Sequence, residues 1–259
     1  MKFTALLNSP LEQFIVNPIF VPYFFEHLGL SFTNQSILLV CILFFLSVFM
    51  NSLLKPTNST YYIIPASWQG VIEQLNLLVL SLAVDNIKDK NAQYFIPLLY
   101  FTFFFILSLN LFGLIPYSFT LTSHIIVTLA LALMLFFGIN IIGARKHGLH
   151  FFSLFLPPGT SIALAFLLVP IELISFVFKP ISLSIRLFAN MMAGHTLLKV
   201  IAGFGYTLMG FGGILFFLHF FPLLILIPLF ALEFGVALIQ TFVFSILICI
   251  YINDAINLH

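Results

Sequence analysis

Two apolar runs dominate the C-terminal half of the chain, residues 160–200 and 206–256. Each is far longer than the ~20 residues a helix needs to cross a bilayer. As a single helix the first would reach ~60 Å at 1.5 Å per residue. The hydrocarbon core is only ~30 Å thick. Two solutions remain open on length alone. The helix lies steeply inclined, by roughly 60° on that arithmetic, or it breaks at an internal proline into two upright spans. Pro170 and Pro180 stand in the first run, Pro222 and Pro228 in the second. Charge tips the balance. Glu172, Lys179, Arg186, His195, Lys199 and Glu233 are spread along the two runs, and upright spans would leave several of them in lipid. The expectation is two long, steeply inclined membrane helices.

Composition sets the class. Hydrophobic residues make up 62% of the 259 and charged residues only 7%, against about 25% charged in a soluble domain. That excludes a water-soluble globule and points to an all-α polytopic membrane protein, since only helices or closed barrels satisfy their backbone in lipid. A net charge of +1 gives no reason to expect nucleic-acid binding. Cys41 and Cys249 fall in apolar runs with no C-x-x-C. They read as small buried hydrophobes, so no disulfide framework, metal site or cofactor is expected. No cleavable secretory signal is evident, because the first long apolar run starts past residue 30.

Residues 1–33 contain Pro10, Pro18 and Pro22, which argue against one long helix. A first span is expected over 35–53, followed by a polar stretch from Asn51 to Pro65 that carries Lys55. Residues 66–84 behave differently. Trp68, Val71, Ile72, Leu75, Leu78, Val79 and Leu82 recur at helical spacing, with Gln69, Glu73 and Asn76 off that stripe. The pattern predicts an amphipathic helix on the membrane surface, closed by Asp85, Lys88, Asp89 and Lys90. A transmembrane hairpin is expected from spans over 94–115 and 124–143, with Arg145-Lys146-His147-Gly148 and Pro157-Pro158-Gly159 as later punctuation. With no repeat or linker, the whole of 1–259 reads as one membrane domain. Lys55, Lys88, Lys90, Arg145 and Lys146 all fall on one side of this topology, Glu12 and Glu26 on the other. The basic side is expected to be the matrix or cytoplasmic one.

The polar residues inside the long runs carry the functional expectation. A guanidinium at a bilayer centre costs at least ~2.5–3.5 kcal/mol, and Arg186 cannot shed its proton to escape that cost. Glu172, Lys179 and Arg186 are spaced by seven and share nearly one helical stripe, with Asn190 close to it. A purely structural Glu172–Lys179 pair is an equal reading of that spacing. His195, nine residues past Arg186, falls about 180° around an ideal helix. Ala189, Ala193 and Gly194 nearby permit close helix approach. On the last run Glu233 and Gln240 are also seven apart. A carboxylate in apolar sequence needs a partner, and His195 or His219 can supply one. His and Glu can take and release protons and so relay them across membranes; Arg186 cannot. A relay on one face and a permanent cation on the other describe an interrupted proton path.

Ser184-Ile185-Arg186-Leu187-Phe188-Ala189-Asn190-Met191-Met192-Ala193-Gly194-His195 resembles the signature of subunit a of F-type ATP synthases. Ile115-Pro116-Tyr117-Ser118-Phe119-Thr120 resembles the family's turn after its second span, and Leu232-Glu233-Phe234-Gly235-Val236-Ala237 with Gln240 resembles its last helix. Ser9-Pro10-Leu11-Glu12-Gln13-Phe14 and the closing Ile252-Asn253-Asp254-Ala255-Ile256-Asn257-Leu258-His259 are similar to mitochondrial forms, especially those of plants and algae. In some fungal relatives a short leader ends before the Ser-Pro, which leaves the persistence of residues 1–8 open.

The resemblance implies a stator subunit in the mitochondrial inner membrane, not catalytic by itself. Its partners would be a ring of c-subunit proteolipids, other membrane-sector and peripheral-stalk subunits, the lipid bilayer and the transported proton. It implies that Arg186 faces the ring's carboxylates, that His195 and Glu233 form the inlet relay, and that Glu172 belongs to the matrix-side half-channel. Asn190 and Gln240 would be polar ring-facing neighbours of Arg186. Bacterial relatives carry an acid and a histidine in reverse order at the relay positions, which fits a contacting pair. Two other readings compete: a haem-binding or electron-transfer subunit using His124, His195 and His219, and a purely structural assembly anchor.

Overall fold

The computed structural model describes residues 10–20, 31–54, 67–87, 92–115, 118–148, 151, 162–211 and 213–257. Lys55, the Lys88-Asp89-Lys90 cluster, Glu26, the Pro116-Tyr117 pair, Pro157-Pro158-Gly159 and residues 1–8 lie outside the described residues. So does the side chain of Trp68. The described chain is helical almost throughout: α1 Asn34–Leu54, α2 Ser67–Asn86, α3 Ile96–Gly113, α4 Ile125–His147, α5 Ile162–Phe211, α6 Ile214–Leu218 and α7 Phe220–Ile256. Four stretches are long and apolar enough to cross a membrane, Gln93–Gly113, Ile125–His147, Ala165–Gly210 and Phe216–Ile256. The chain is an all-α polytopic membrane protein. Two short strands add to the expected helices, β1 Pro18–Phe20 and β2 Phe32–Thr33, paired antiparallel.

Helix α5 continues through both Pro170 and Pro180. At 1.5 Å per residue its contour is ~75 Å, more than twice the ~30 Å hydrocarbon core, so a single upright crossing is excluded. The helix also runs beyond residue 200, taking in residues expected to open the next run. Gly213 then adopts a left-handed backbone (φ 62°), a conformation glycine reaches without steric cost. The short α6 follows, and the last long helix starts at Phe220 rather than near residue 206.

The chain forms two compact units. One comprises Met1–Ser47, Leu107–His124 and Leu187–Gln240. In it, α1 begins with a reciprocal cap. The Ser36 amide donates to Thr33 Oγ1 (3.3 Å) and the Thr33 amide donates to Ser36 Oγ (3.0 Å). Two otherwise orphaned donors of the first turn are thereby satisfied. Asn34 Nδ2 donates to the Ile15 carbonyl, and its Oδ1 accepts from the Asn17 amide, both at 3.3 Å. Phe45 of α1 meets Phe112 of α3 edge to face at 5.3 Å.

The other unit comprises Val48–Ile106, Ile125–Arg186 and Thr241–His259. Here Val79 and Leu82 of the α2 stripe are buried, with Ala83 beside them, while Val71 and Leu77 are exposed. Tyr100 Oη donates to the Asn76 carbonyl at 3.0 Å, tying α2 to α3. The hydroxyls of Thr128 and Ser184 join α4 to α5 at 3.0 Å. An added Cβ on Gly143 would lie 3.1 Å from both the Cβ and the carbonyl oxygen of Ala255, so α4 and α7 approach at a spacing only glycine allows. A ring nitrogen of His147 lies 2.7 Å from the Ile256 carbonyl, one of the acceptors a helix C-terminus leaves without an intrahelical donor. Cys249 is buried as expected, but Cys41 is exposed on α1. Lipid is as apolar as a core, so hydrophobicity does not decide which way a small apolar residue points.

Candidate functional site

In the first unit α5 and α7 bring the sequence-predicted polar residues together in two pairs. His195 Nε2 lies 3.6 Å from Glu233 Oε1, with only 15% and 6% of the two side chains exposed. Asn190 Nδ2 donates to Gln240 Oε1 at 2.9 Å. His195 and Glu233 thus meet, as the sequence-based pairing proposed. Gln240 is buried, with its amide turned to Asn190 instead of outward.

The backbone makes the closeness of the acid–histidine pair possible. A Cβ on Gly194 would fall 2.6 Å from Glu233 Oε1 and 2.9 Å from its carboxyl carbon. Real carbons do not approach so closely, so the carboxylate lies against bare backbone on α5. Nε2 is the ring nitrogen that faces Glu233. The pair accordingly has two ways to hold one proton, as imidazolium with carboxylate or as imidazole with carboxylic acid. Neither Glu233 oxygen is within hydrogen-bonding distance of another described residue. The 3.6 Å separation is long for a direct hydrogen bond.

Two hollows meet at this carboxylate. One, too small for more than about a single water, is lined by Asn110, Asn190, Glu233 and Gln240 among apolar neighbours. The other, about 610 Å³ and more apolar, opens along Asn190, Gly194 and Glu233 toward Leu197 and Leu229. Sequence reasoning missed Asn110. It is buried on α3, and its Nδ2 donates to the Ala237 carbonyl at 3.3 Å. A single asparagine in an apolar span gives no spacing cue, although a polar side chain there signals a partner on another helix.

The second unit holds the other candidates. Arg186 is exposed, near the middle of the apolar stretch Ala165–Gly210, and makes no hydrogen bond or ion pair with any described residue. The preceding residues Leu183 and Ser184 are buried, so α5 presents the guanidinium on its outward face. Glu172 is half-buried and likewise has no hydrogen-bond or ion-pair partner among the described residues. Lys179 does not pair with it. Its Nζ lies 3.4 Å from Asp254 Oδ2 on α7.

The three histidines of the haem alternative are each engaged separately. His195 faces Glu233. His219 contacts the Phe216 carbonyl at the α6–α7 turn. His124, just before α4, stacks on Phe119 at 5.2 Å, and burial lowers its pKa from the ordinary 6.5. Among the described residues, no group of three or more His, Cys, Asp or Glu side chains is arranged to hold a metal ion.

Comparison with known proteins extends over the whole chain. A family model described as ATP synthase A chain matches residues 35–253. ATP synthase subunit a of Pylaiella littoralis is 51% identical over 256 residues, covering 98% of this chain and 100% of the relative. That of Marchantia polymorpha is 46% identical over 253 residues, covering 97% and 99%. That of Brassica napus is 44% identical over 263 residues and covers both chains completely. With the polar pairs, the outward arginine and these likenesses together, the chain belongs to the ATP synthase subunit a family, a component of the membrane sector.

Proposed function

We propose that this chain is the proton-conducting stator of the membrane sector, in the mitochondrial inner membrane. Protons reach the carboxylates of a c-subunit ring through one half-channel and leave through a second, offset one. The single observation that carries this reading is Arg186, an exposed cation amid apolar sequence with no partner among the described residues. A guanidinium left in lipid costs at least ~2.5–3.5 kcal/mol, so its outward face calls for an anion on another molecule. A ring carboxylate about 4 Å away, at an effective dielectric near 20, would gain ~4 kcal/mol before desolvation. One charge crossing 100 mV releases only ~2.3 kcal/mol. The cation therefore has enough field to hold a passing carboxylate ionised and to bar a direct proton leak.

His195 and Glu233 form the inlet relay, with Asn110, Asn190 and Gln240 as its polar lining. Glu172 serves the other half-channel. The long helices lie inclined along the ring. The chain catalyses no bond chemistry itself and couples proton flow to rotation.

Disulfide mapping on intact ATP synthase tests the contact, with Cys41 and Cys249 first replaced by serine. Ala189→Cys and Ala193→Cys, on exposed positions of α5, should cross-link to cysteines flanking the mid-membrane acid of a small two-helix proteolipid. Leu187→Cys and Met191→Cys, which are buried, should not. Cross-linking confined to the buried pair would overturn the assignment.

The relay makes its own prediction. Gly194→Ala forces the Glu233 carboxylate away from its seat. The displaced atoms are the flexible end of a side chain, so the complex should still assemble. Proton uptake by reconstituted vesicles should slow roughly 10- to 100-fold, as expected when a reacting group moves by about an ångström. An unchanged rate would show that this carboxylate position is not on the path.

A further inference from the structure

The N-terminal ribbon of β1 and β2 lies off the proposed proton path, and its exposed surface is apolar. Phe20 pairs directly with Phe32, and Ile19 is the extra residue of a bulge between that pair and Pro18–Thr33. Ile19 and Phe20 are each 62% exposed and Phe32 57%, with Ile15 exposed before them. Glu12 is the only charged residue among the described positions 10–20 and 31–36. Water is a poor medium for this surface. A contiguous apolar patch marks a contact, and a lone two-stranded ribbon is at best marginally stable in water. Hydrocarbon is equally unsuitable. Among the described residues the sheet has two strands only, so each strand keeps an outer edge whose amides and carbonyls would go unpaired among lipid tails. The headgroup region supplies both needs, apolar contact for the side chains and polar partners for the backbone.

Attachment to α1 sets the ribbon's depth. Asn34, the first residue of that helix, donates from its amide to the Asn17 carbonyl at 3.2 Å, and its side chain holds the Ile15 carbonyl and the Asn17 amide. Three residues later, ~4.5 Å along the axis, Ile37 opens an outward apolar stripe continued by Val40 and Phe44, opposite the buried Ile42 and Leu46. The ribbon therefore stands about one turn from where α1 begins to present a face suited to lipid. A strand added by another protein fits it poorly. Pro18 brings no amide to β1, and the bulge breaks the regular spacing of its edge; both features discourage strand addition.

We propose that the ribbon is an interfacial anchor. Ile19, Phe20 and Phe32 insert into the headgroup region of the bilayer and fix the level at which α1 enters the membrane. This anchoring is independent of Arg186 and of the acid–histidine pair.

The test uses intact ATP synthase in phosphatidylcholine vesicles, with Cys41, Cys249 and the reactive cysteines of the other subunits replaced by serine. A nitroxide is attached at Ile19→Cys, Phe20→Cys or Phe32→Cys, one variant at a time, and at Phe44→Cys as a deeper reference. Electron spin resonance power saturation then compares collisions with oxygen, which concentrates in lipid, and with a water-soluble nickel chelate. The ribbon labels should lie within about 5–10 Å of the boundary between headgroups and acyl chains, shallower than the Phe44 label. Three results each overturn the proposal. Collisions with nickel as frequent as for a free nitroxide place the ribbon in water. A depth equal to that of the Phe44 label places it in hydrocarbon. Shielding from both reagents places another subunit over it. The three positions belong to one exposed surface, so where a cysteine variant fails to assemble, the others decide.

Discussion

Arg186→Ala is expected to abolish proton-driven ATP synthesis in a complex that still assembles. The guanidinium points outward from α5 and bonds to no described residue, so its removal breaks no internal contact and should leave the fold intact. What disappears is the field on the neighbour's carboxylate. At about 4 Å and an effective dielectric near 20, that field is worth ~4 kcal/mol, which corresponds to about a thousandfold in a rate. Without it, ring sites pass still protonated, and a proton can move between half-channels without turning anything. Vesicles carrying Arg186→Ala should therefore show passive proton leak with no synthesis. Arg186→Lys should recover only part of the function, since an ammonium is a point donor and can give up its proton where a guanidinium cannot. Preserved synthesis in the alanine variant would remove the basis of the proposed mechanism.

The second large effect concerns the buried acid–histidine pair. His195→Ala or Glu233→Ala leaves one member of a 3.6 Å pair without its counterpart in a dry setting. Each substitution removes one of the two groups able to hold the proton, and loss of a positioned acid or base costs about 100-fold or more, so proton uptake should slow by at least that order. The exchange His195→Glu with Glu233→His should recover more than either exchange alone, because the two side chains meet directly and the proton can occupy either member. A double-mutant cycle on flux reads this as a coupling energy of about 0.5–3 kcal/mol. Strictly additive losses would show that the two residues act separately. Gly194 lends the exchange a further constraint, since the bulkier ring at position 233 must fit where Glu233 lies against bare backbone.

Much of this architecture could be read in advance because lipid imposes few solutions. The composition left only helices or closed barrels, and of the α2 stripe Val79 and Leu82 are buried, Ile72, Leu75 and Leu78 half-buried and Val71 exposed, so the helical period marks the covered side only in part. What escaped reading has identifiable causes. The first long run was expected to end near residue 200, yet α5 passes through Gly203, Gly205 and Gly210 to Phe211. Glycine within a helix costs only about 1 kcal/mol, which tertiary packing overrides. The pairing of β1 with β2 links residues too far apart for local periodicity to register. Cys41 was assigned inward because a hydrophobicity scale cannot separate core from lipid.

The candidate site was legible in part for a related reason. His195 and Glu233 were matched as chemical complements, and the structure places them side by side. Lys179 had an apparent partner in Glu172 at helical spacing, but its partner is Asp254, seventy-five residues away in sequence. Charge spacing along one helix says nothing about what a second helix offers. Asn110 carried no signal in isolation; only its bond to the Ala237 carbonyl reveals its place.

The missing side chain at Gly194 has a mechanical consequence. With main chain directly behind it, the Glu233 carboxyl group has a backstop on one side, and its motion is that of a hinge rather than a swivel. The imidazole and the hollow beside Asn190 lie on its other sides. In the proposed relay, a hydrogen atom where every other residue has a carbon would give the hand-off a direction.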